Sequence, residues 1–148
     1  MIGIRNFTSQ KISEEFLERV IKEVLREEGI NGEVELSVAI LGPGRMREVN
    51  KRYRGKNRIT DVLSFPETEI VFQNLKIGPK KKIKGLGEIL ICPRAVKKNA
   101  KRFNVSFEEE LKKVLIHGVL HLLGYNHEQP EDEKRMREKE ENYLLKIK

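Results

Sequence analysis

The sequence predicts an α+β fold, a single domain over residues 1–148 with a mixed sheet of roughly four strands and helices packed around one buried central helix. Three observations predict it. Helical and strand-like segments are intermixed without the strict βαβ alternation of a doubly wound fold. Val34, Leu36, Val38 and Ile40 alternate with Glu35, Ser37 and Ala39 at the period of a strand. From Val114 to Leu123 nearly every residue is apolar, and a helix apolar on all sides lies inside a domain rather than on its surface.

Each element has its own signal. Ser13 is a suitable N-cap, followed by Glu14 and Glu15 at the positive end of a helix. Leu17, Val20, Ile21, Val24 and Leu25 recur at helical spacing until Gly29 ends the run. The alternating stretch from Val34 to Ile40 is expected to bury one face. Gly42-Pro43-Gly44 forces a turn, and Met46, Val49 and Tyr53 predict a short helix behind it. A second strand fits Thr60 to Phe65, stopped by Pro66, and a third is expected near Glu69 to Asn74. Lys76 to Gly85 holds five lysines, two glycines and a proline, and reads as an exposed loop. Leu86 to Ile91 makes the fourth strand, and Pro93 suits the first turn of a helix that reaches about Phe103. Ser106-Phe107-Glu108-Glu109 has the S-x-x-E form of a capping box, which starts the central helix at Ser106; Gly124 is its left-handed terminator. After Pro130 a charged helix carries Met136, Tyr143, Leu144 and Ile147 on one side.

Composition narrows the class. No run is long and apolar enough for a transmembrane helix, and the N-terminus lacks the basic, apolar and small-residue succession of a signal peptide. Cys92 is the sole cysteine, which excludes an internal disulfide. The expectation is a soluble, cytoplasmic protein with no membrane attachment. A net charge of +7 and a pI near 9.5 suit a polyanionic partner, chiefly nucleic acid, although an excess of lysine also serves solubility alone. The lysine loop and the helix face bearing Lys97, Lys98, Lys101 and Arg102 are each either a surface for RNA or the ribosome or a solvated face.

All three histidines of the chain, His117, His121 and His127, fall within one short segment. On a helix, His117 and His121 lie one turn apart on the same face and can reach one ion. Gly124 lets the chain reverse, which brings His127 back toward that ion. Burying two histidines in an apolar helix is costly without a common partner. Three nitrogen ligands leave the fourth position of a tetrahedral zinc open to water or substrate, the catalytic pattern; a structural site would need a fourth ligand, for which Cys92 is the only soft candidate. The expected cofactor is one Zn2+ ion, with nickel, copper and iron also suited to imidazole. The spacing H-x-x-x-H-x-x-G-x-x-H is shared with the metzincin proteases, whose glutamate after the first histidine is the general base. Here that position is Gly118, which cannot take a proton.

The run from His117 to His127 (HGVLHLLGYNH) resembles the H-G-x-L-H-L-x-G-Y-D-H pattern of the YbeY endoribonucleases, which act in ribosomal RNA maturation. Thr60 to Pro66 (TDVLSFP) resembles a second signature of that family, and Gly87-Glu88-Ile89 its G-D-I strand. Tyr53-Arg54-Gly55-Lys56 matches the segment that bears the family's functionally important arginine. The resemblance implies a zincin-like, metal-dependent hydrolase that cleaves single-stranded RNA in 3′-end maturation of small-subunit ribosomal RNA and in ribosome quality control. It implies ribosomal RNA precursor and the ribosome or its small subunit as partners. Its metal ligands are His117, His121 and His127, and its catalytic group is Arg54, whose guanidinium suits bidentate phosphate binding. Asn126 and Glu88 each stand where the family has aspartate.

Other residues have competing readings. Asp61 either orients a ligand histidine or Arg54, or forms a turn or cap. Ser64 has no histidine relay to make it a nucleophile. Cys92 is either a thiol activated by the following helix or a small buried residue at a strand end. Two other functions stay open: a zinc metalloprotease that finds its base elsewhere, such as Glu88, and a non-enzymatic ribosome-assembly factor with a structural metal. The sequence names no general base, and it leaves open whether water or the ribose 2′-OH attacks.

Overall fold

Five helices and a four-stranded sheet form among the residues that the computed structural model describes, 1–30, 34–67 and 85–148. The first strand, β1 (Ile2–Asn6), has no counterpart in the sequence expectations. Ile2 and Ile4 are too few apolar positions to set a period. The strand exists because β2 (Glu35–Ile40) pairs with it in parallel, from Ile2↔Leu36 to Asn6↔Ile40. Between them lies α1 (Glu14–Glu27), capped by Ser13, whose Oγ accepts from Phe16 N at 3.2 Å. It ends in a Schellman motif: Ile30 N donates to Leu25 O and Gly29 N to Arg26 O, with Gly29 at φ 74°.

The expectation that β2 buries one face is corrected. All of its residues are buried, Glu35, Ser37 and Ala39 included. The order β1-β2-β4-β3 puts it in the interior of the sheet, and parallel pairing on both sides requires both faces to be covered. The second cover is α2 (Pro43–Arg54), beneath which Ala39, Leu41, Met46, Val49, Phe65, Leu90 and Cys92 form a small core.

The edge strand β3 (Val62–Pro66) pairs antiparallel with β4 (Gly85–Ile91), so the sheet is mixed, as the fold class predicts. The strand expected near Glu69 to Asn74 and the lysine loop lie outside the described residues, except that Gly85 opens β4. Helix α3 (Pro93–Arg102) begins at the predicted proline. The central helix is α4 (Phe107–Leu122), started by Ser106, whose Oγ accepts from Glu109 N at 3.0 Å. Leu115, Ile116, Val119 and Leu120 on it have no exposed surface. It lies between the sheet, α1, α3 and the last helix, α5 (Pro130–Lys146). Gly118 allows α4 to approach β4 closely, since a Cβ there would lie 3.2 Å from Ile89 Cγ2. No helix among the described residues is long and apolar enough to cross a membrane.

Candidate metal centre

The helical interval between His117 and His121 sets their rings in edge contact, with centroids 4.5 Å apart. The end of α4 supplies the third ring. Tyr125 N donates to Leu120 O and Gly124 N to His121 O, with Gly124 at φ 103°. This Schellman turn reverses the chain where Gly124 was expected to do so. His127 then lies 5.4 Å from His117 and 5.2 Å from His121, centroid to centroid. Asn126 shapes the return, its Oδ1 accepting from Glu128 N at 3.0 Å. An amide performs that turn-forming task as an aspartate would.

The partners of each ring decide what the centre can hold. His121 Nδ1 meets Tyr125 O at 2.9 Å, and His117 Nδ1 meets the Glu140 carboxylate. A carbonyl and a carboxylate accept hydrogen bonds, so each Nδ1 is the donor nitrogen, and in that tautomer the lone pair lies on Nε2. The two Nε2 atoms face each other across 3.0 Å. Opposed lone pairs repel, and a cation shared between them turns that repulsion into attraction. Two nitrogens on a tetrahedral zinc, each about 2.0–2.1 Å away, are about 3.3 Å apart. The ligand atoms of all three histidines lie within 4.8 Å of one another. Burial first, and then the adjacent His117, push the His121 imidazole down to a pKa of about 4, which keeps it neutral at pH 7. The donor set therefore fits one small divalent ion. Cys92 does not join it: it is fully buried in the core beneath α2.

Arg54, the last residue of α2, lines the same cleft as His117 and His121, a space of about 410 Å³. Its Nη2 donates to Ser64 O at 3.0 Å, and its Cζ lies 4.4 Å from the Phe65 ring centroid. The edge strand thus anchors the guanidinium that α2 delivers. Asp61 lies elsewhere. Its carboxylate accepts from Asn99 Nδ2 at 3.2 Å and its carbonyl from Cys92 N at 2.9 Å, so it ties the entry of β3 to α3 and touches neither a histidine nor Arg54. Glu88 stands opposite Phe65 in the register of β3 and β4. Its neighbour Ile89 packs on Gly118, so Glu88 belongs to the other face of the sheet, away from α4.

Two supporting residues gave no sequence signal. Glu140 is one of many acids on a charged helix, and only the docking of α5 brings it to His117. Glu28, the C-cap of α1, accepts from Tyr125 Oη at 2.7 Å, from Tyr143 Oη, and from Lys139 Nζ at 3.0 Å. It thereby joins α1, the turn after α4 and α5, the segments that carry Tyr125 and Glu140. Burial alone would raise the Glu28 carboxyl; the hydrogen bonds from Tyr143, Tyr125 and Lys139 outweigh it and hold the pKa below its ordinary value. Burial, with Glu28 behind it, pushes the Tyr143 phenol up to about 12.

The family model described as Endoribonuclease YbeY matches residues 4–148. The chain belongs to the YbeY family. Its relatives include an Endoribonuclease YbeY from Caldanaerobacter subterraneus subsp. tengcongensis, 40% identical over 132 residues that cover 87% of this chain and 84% of that protein. Another, from Clostridioides difficile, is 36% identical over 140 residues, covering 93% and 89%. A solution structure of a Thermotoga maritima protein resembles this YbeY-family chain with a TM-score of 0.64 at 33% identity, covering 99% of this chain and 89% of that one.

Proposed function

We propose that the chain is an endoribonuclease that hydrolyses phosphodiester bonds of single-stranded RNA, with one zinc ion held by His117, His121 and His127 and with Arg54 as the catalytic phosphate-binding group. The observation that carries this reading is the opposed Nε2 pair, both Nδ1 atoms engaged, in a cleft that Arg54 also lines. Membership of an endoribonuclease family supports RNA as the substrate, and the net charge of +7 favours a polyanion. The same membership supports a cytoplasmic role in 3′-end maturation of small-subunit ribosomal RNA, with the ribosome or its small subunit as partner.

A divalent ion at this centre supplies Lewis acidity toward water and a phosphoryl oxygen. The protein's own groups do the rest. Tyr125 O and Glu140 fix the tautomers, so that each Nε2 presents a lone pair instead of a proton. Arg54 binds two non-bridging phosphate oxygens and offsets the charge that grows on them in the transition state. Val62, Leu63 and Pro66 wall the cleft with apolar surface, which lowers the local dielectric and strengthens the field of the guanidinium. The protease reading loses support. Gly118 has no proton acceptor, and Glu88 is on the opposite face of the sheet.

Labelled unstructured RNA incubated with metal-loaded protein, with and without chelator and beside His121→Ala and Arg54→Ala, tests the proposal. Chelator and His121→Ala abolish cleavage, and Arg54→Ala lowers its rate about 10²–10³-fold, with far-ultraviolet circular dichroism unchanged. Full cleavage by metal-free protein overturns the reading. Cleavage of an unstructured protein with RNA left intact would establish the protease instead.

A further inference from the structure

A second cleft, of about 750 Å³, opens between α3 and the segment that leads into β3. Arg94, Lys98 and Arg102 line it from α3, and Arg58 and Ile59 line it from the other wall. The three helical cations are spaced four residues apart, so they stack on one face and rise about 6 Å per step along the axis. One carboxylate, Asp61, shares the cleft, and Asn99 Nδ2 and Thr60 Oγ1 already engage it.

Arg58, Arg94 and Lys98 make no ion pair among the described residues, like most of the other cations there. An aromatic ring stands beside Arg102, the last cation of the α3 row. Phe103, at the end of α3, is 52% exposed, with Arg102 Cζ 5.7 Å and Lys113 Nζ 5.1 Å from its centroid. Ile59 within the cleft is 47% exposed. A row of cations with an exposed ring at its end is what a nucleic-acid strand needs: the cations take phosphates and the ring takes a base by stacking.

Strand β3 connects this cleft to the histidines. Thr60 and Asp61, just before it, line the basic cleft, and Val62, Leu63, Ser64 and Pro66 line the histidine cleft. We propose that the α3 cleft is a second RNA-binding site, which holds the phosphodiester backbone of a single strand at a distance from the bond being cut. The proposal rests on the reading of the chain as an RNA-cutting enzyme. It gives Lys98 and Arg102 a partner, and it makes edge strand β3 the path between binding and cleavage.

The test uses the metal-loaded full chain and a fluorescein-labelled 2′-O-methyl oligouridylate of about 20 nucleotides, its integrity checked on a gel. Binding is read by anisotropy over a range of KCl concentrations. Arg94→Glu/Lys98→Glu weakens binding at least about tenfold and flattens the slope of log affinity against log salt by about 1.4, about 0.7 for each phosphate no longer neutralised. Phe103→Ala weakens binding about fivefold or more with the slope unchanged. The control Lys11→Glu/Lys22→Glu, at and before α1, changes affinity less than about twofold. Melting followed by circular dichroism verifies folding, and Arg94→Gln/Lys98→Gln carries the same slope prediction should the reversal unfold the chain.

Wild-type affinity and slope in the α3 variant overturn the proposal, as does an equal loss in the control, which would mark an effect of net charge alone. Tight binding of an acidic peptide such as oligoglutamate with no binding of the oligouridylate overturns it in favour of a protein partner. An unmodified strand that binds in the α3-dependent manner but is left uncut contradicts the nuclease reading and leaves the cleft assignment standing.

Discussion

At the scale of single residues, the centre depends on which nitrogen of each histidine is spoken for. Glu140 and Tyr125 O take the Nδ1 positions, and that leaves the Nε2 atoms to converge. Removing a carboxylate that orients a ligand imidazole typically costs 10–100-fold in metal affinity. Glu140→Ala should therefore lose about that much, measured by competition with a chromophoric chelator; wild-type affinity in the variant would show that the carboxylate has no such role. The histidines were legible in the sequence because the helical repeat alone brings the first two together and one glycine turn returns the third. Arg54 was legible only through a family pattern, being one of several cations between Lys51 and Arg58. Glu140 was not legible, since nothing local separates it from its acidic neighbours on α5.

At the scale of elements, glycines set how closely the histidine helix and the sheet can approach. Gly118 is buried against Ile89 on β4. Gly118→Glu would restore the H-E-x-x-H spacing of a zinc protease, yet the carboxylate would enter the core with no room and no partner. It should destabilise the protein by more than about 2 kcal/mol in urea titration and confer no proteolysis. Stability equal to wild type would mean that α4 has slack against the sheet. Gly87, at φ 135°, is tighter still: a Cβ there would lie 2.2 Å from Phe65 O. Gly87→Ala should force β3 off β4 and lower the melting temperature and RNA cleavage together; a variant that melts and cuts like wild type refutes the packing argument. Helices with caps and strong periods were legible, α1 and α4 above all. The strand β1 was not, because its two isoleucines acquire meaning only beside β2, and the full burial of β2 depends on a sheet order that no local pattern encodes.

At the scale of the whole molecule, Glu28 joins parts that lie far apart in sequence. Its carboxylate, 9% exposed, binds Tyr125, Tyr143 and Lys139 and so links α1 to both segments that orient the histidines. Because its folded pKa lies below the ordinary value of 4.5, its contribution is complete above that pH and is lost as pH falls through the folded value. Glu28→Gln should cost about 1–3 kcal/mol at pH 7, and the gap from wild type should close on acidification below about pH 4.5. A gap that is constant with pH would show that the charge on Glu28 plays no part. The proposal that one ion held by three histidines makes the active centre is tested by plotting RNA cleavage rate against measured ions per chain as metal is returned to folded, metal-free protein. The expected result is a line through the origin that levels off at one ion and is abolished in His121→Ala. Cleavage at zero ions per chain, or a plateau reached only with a second ion, would contradict it.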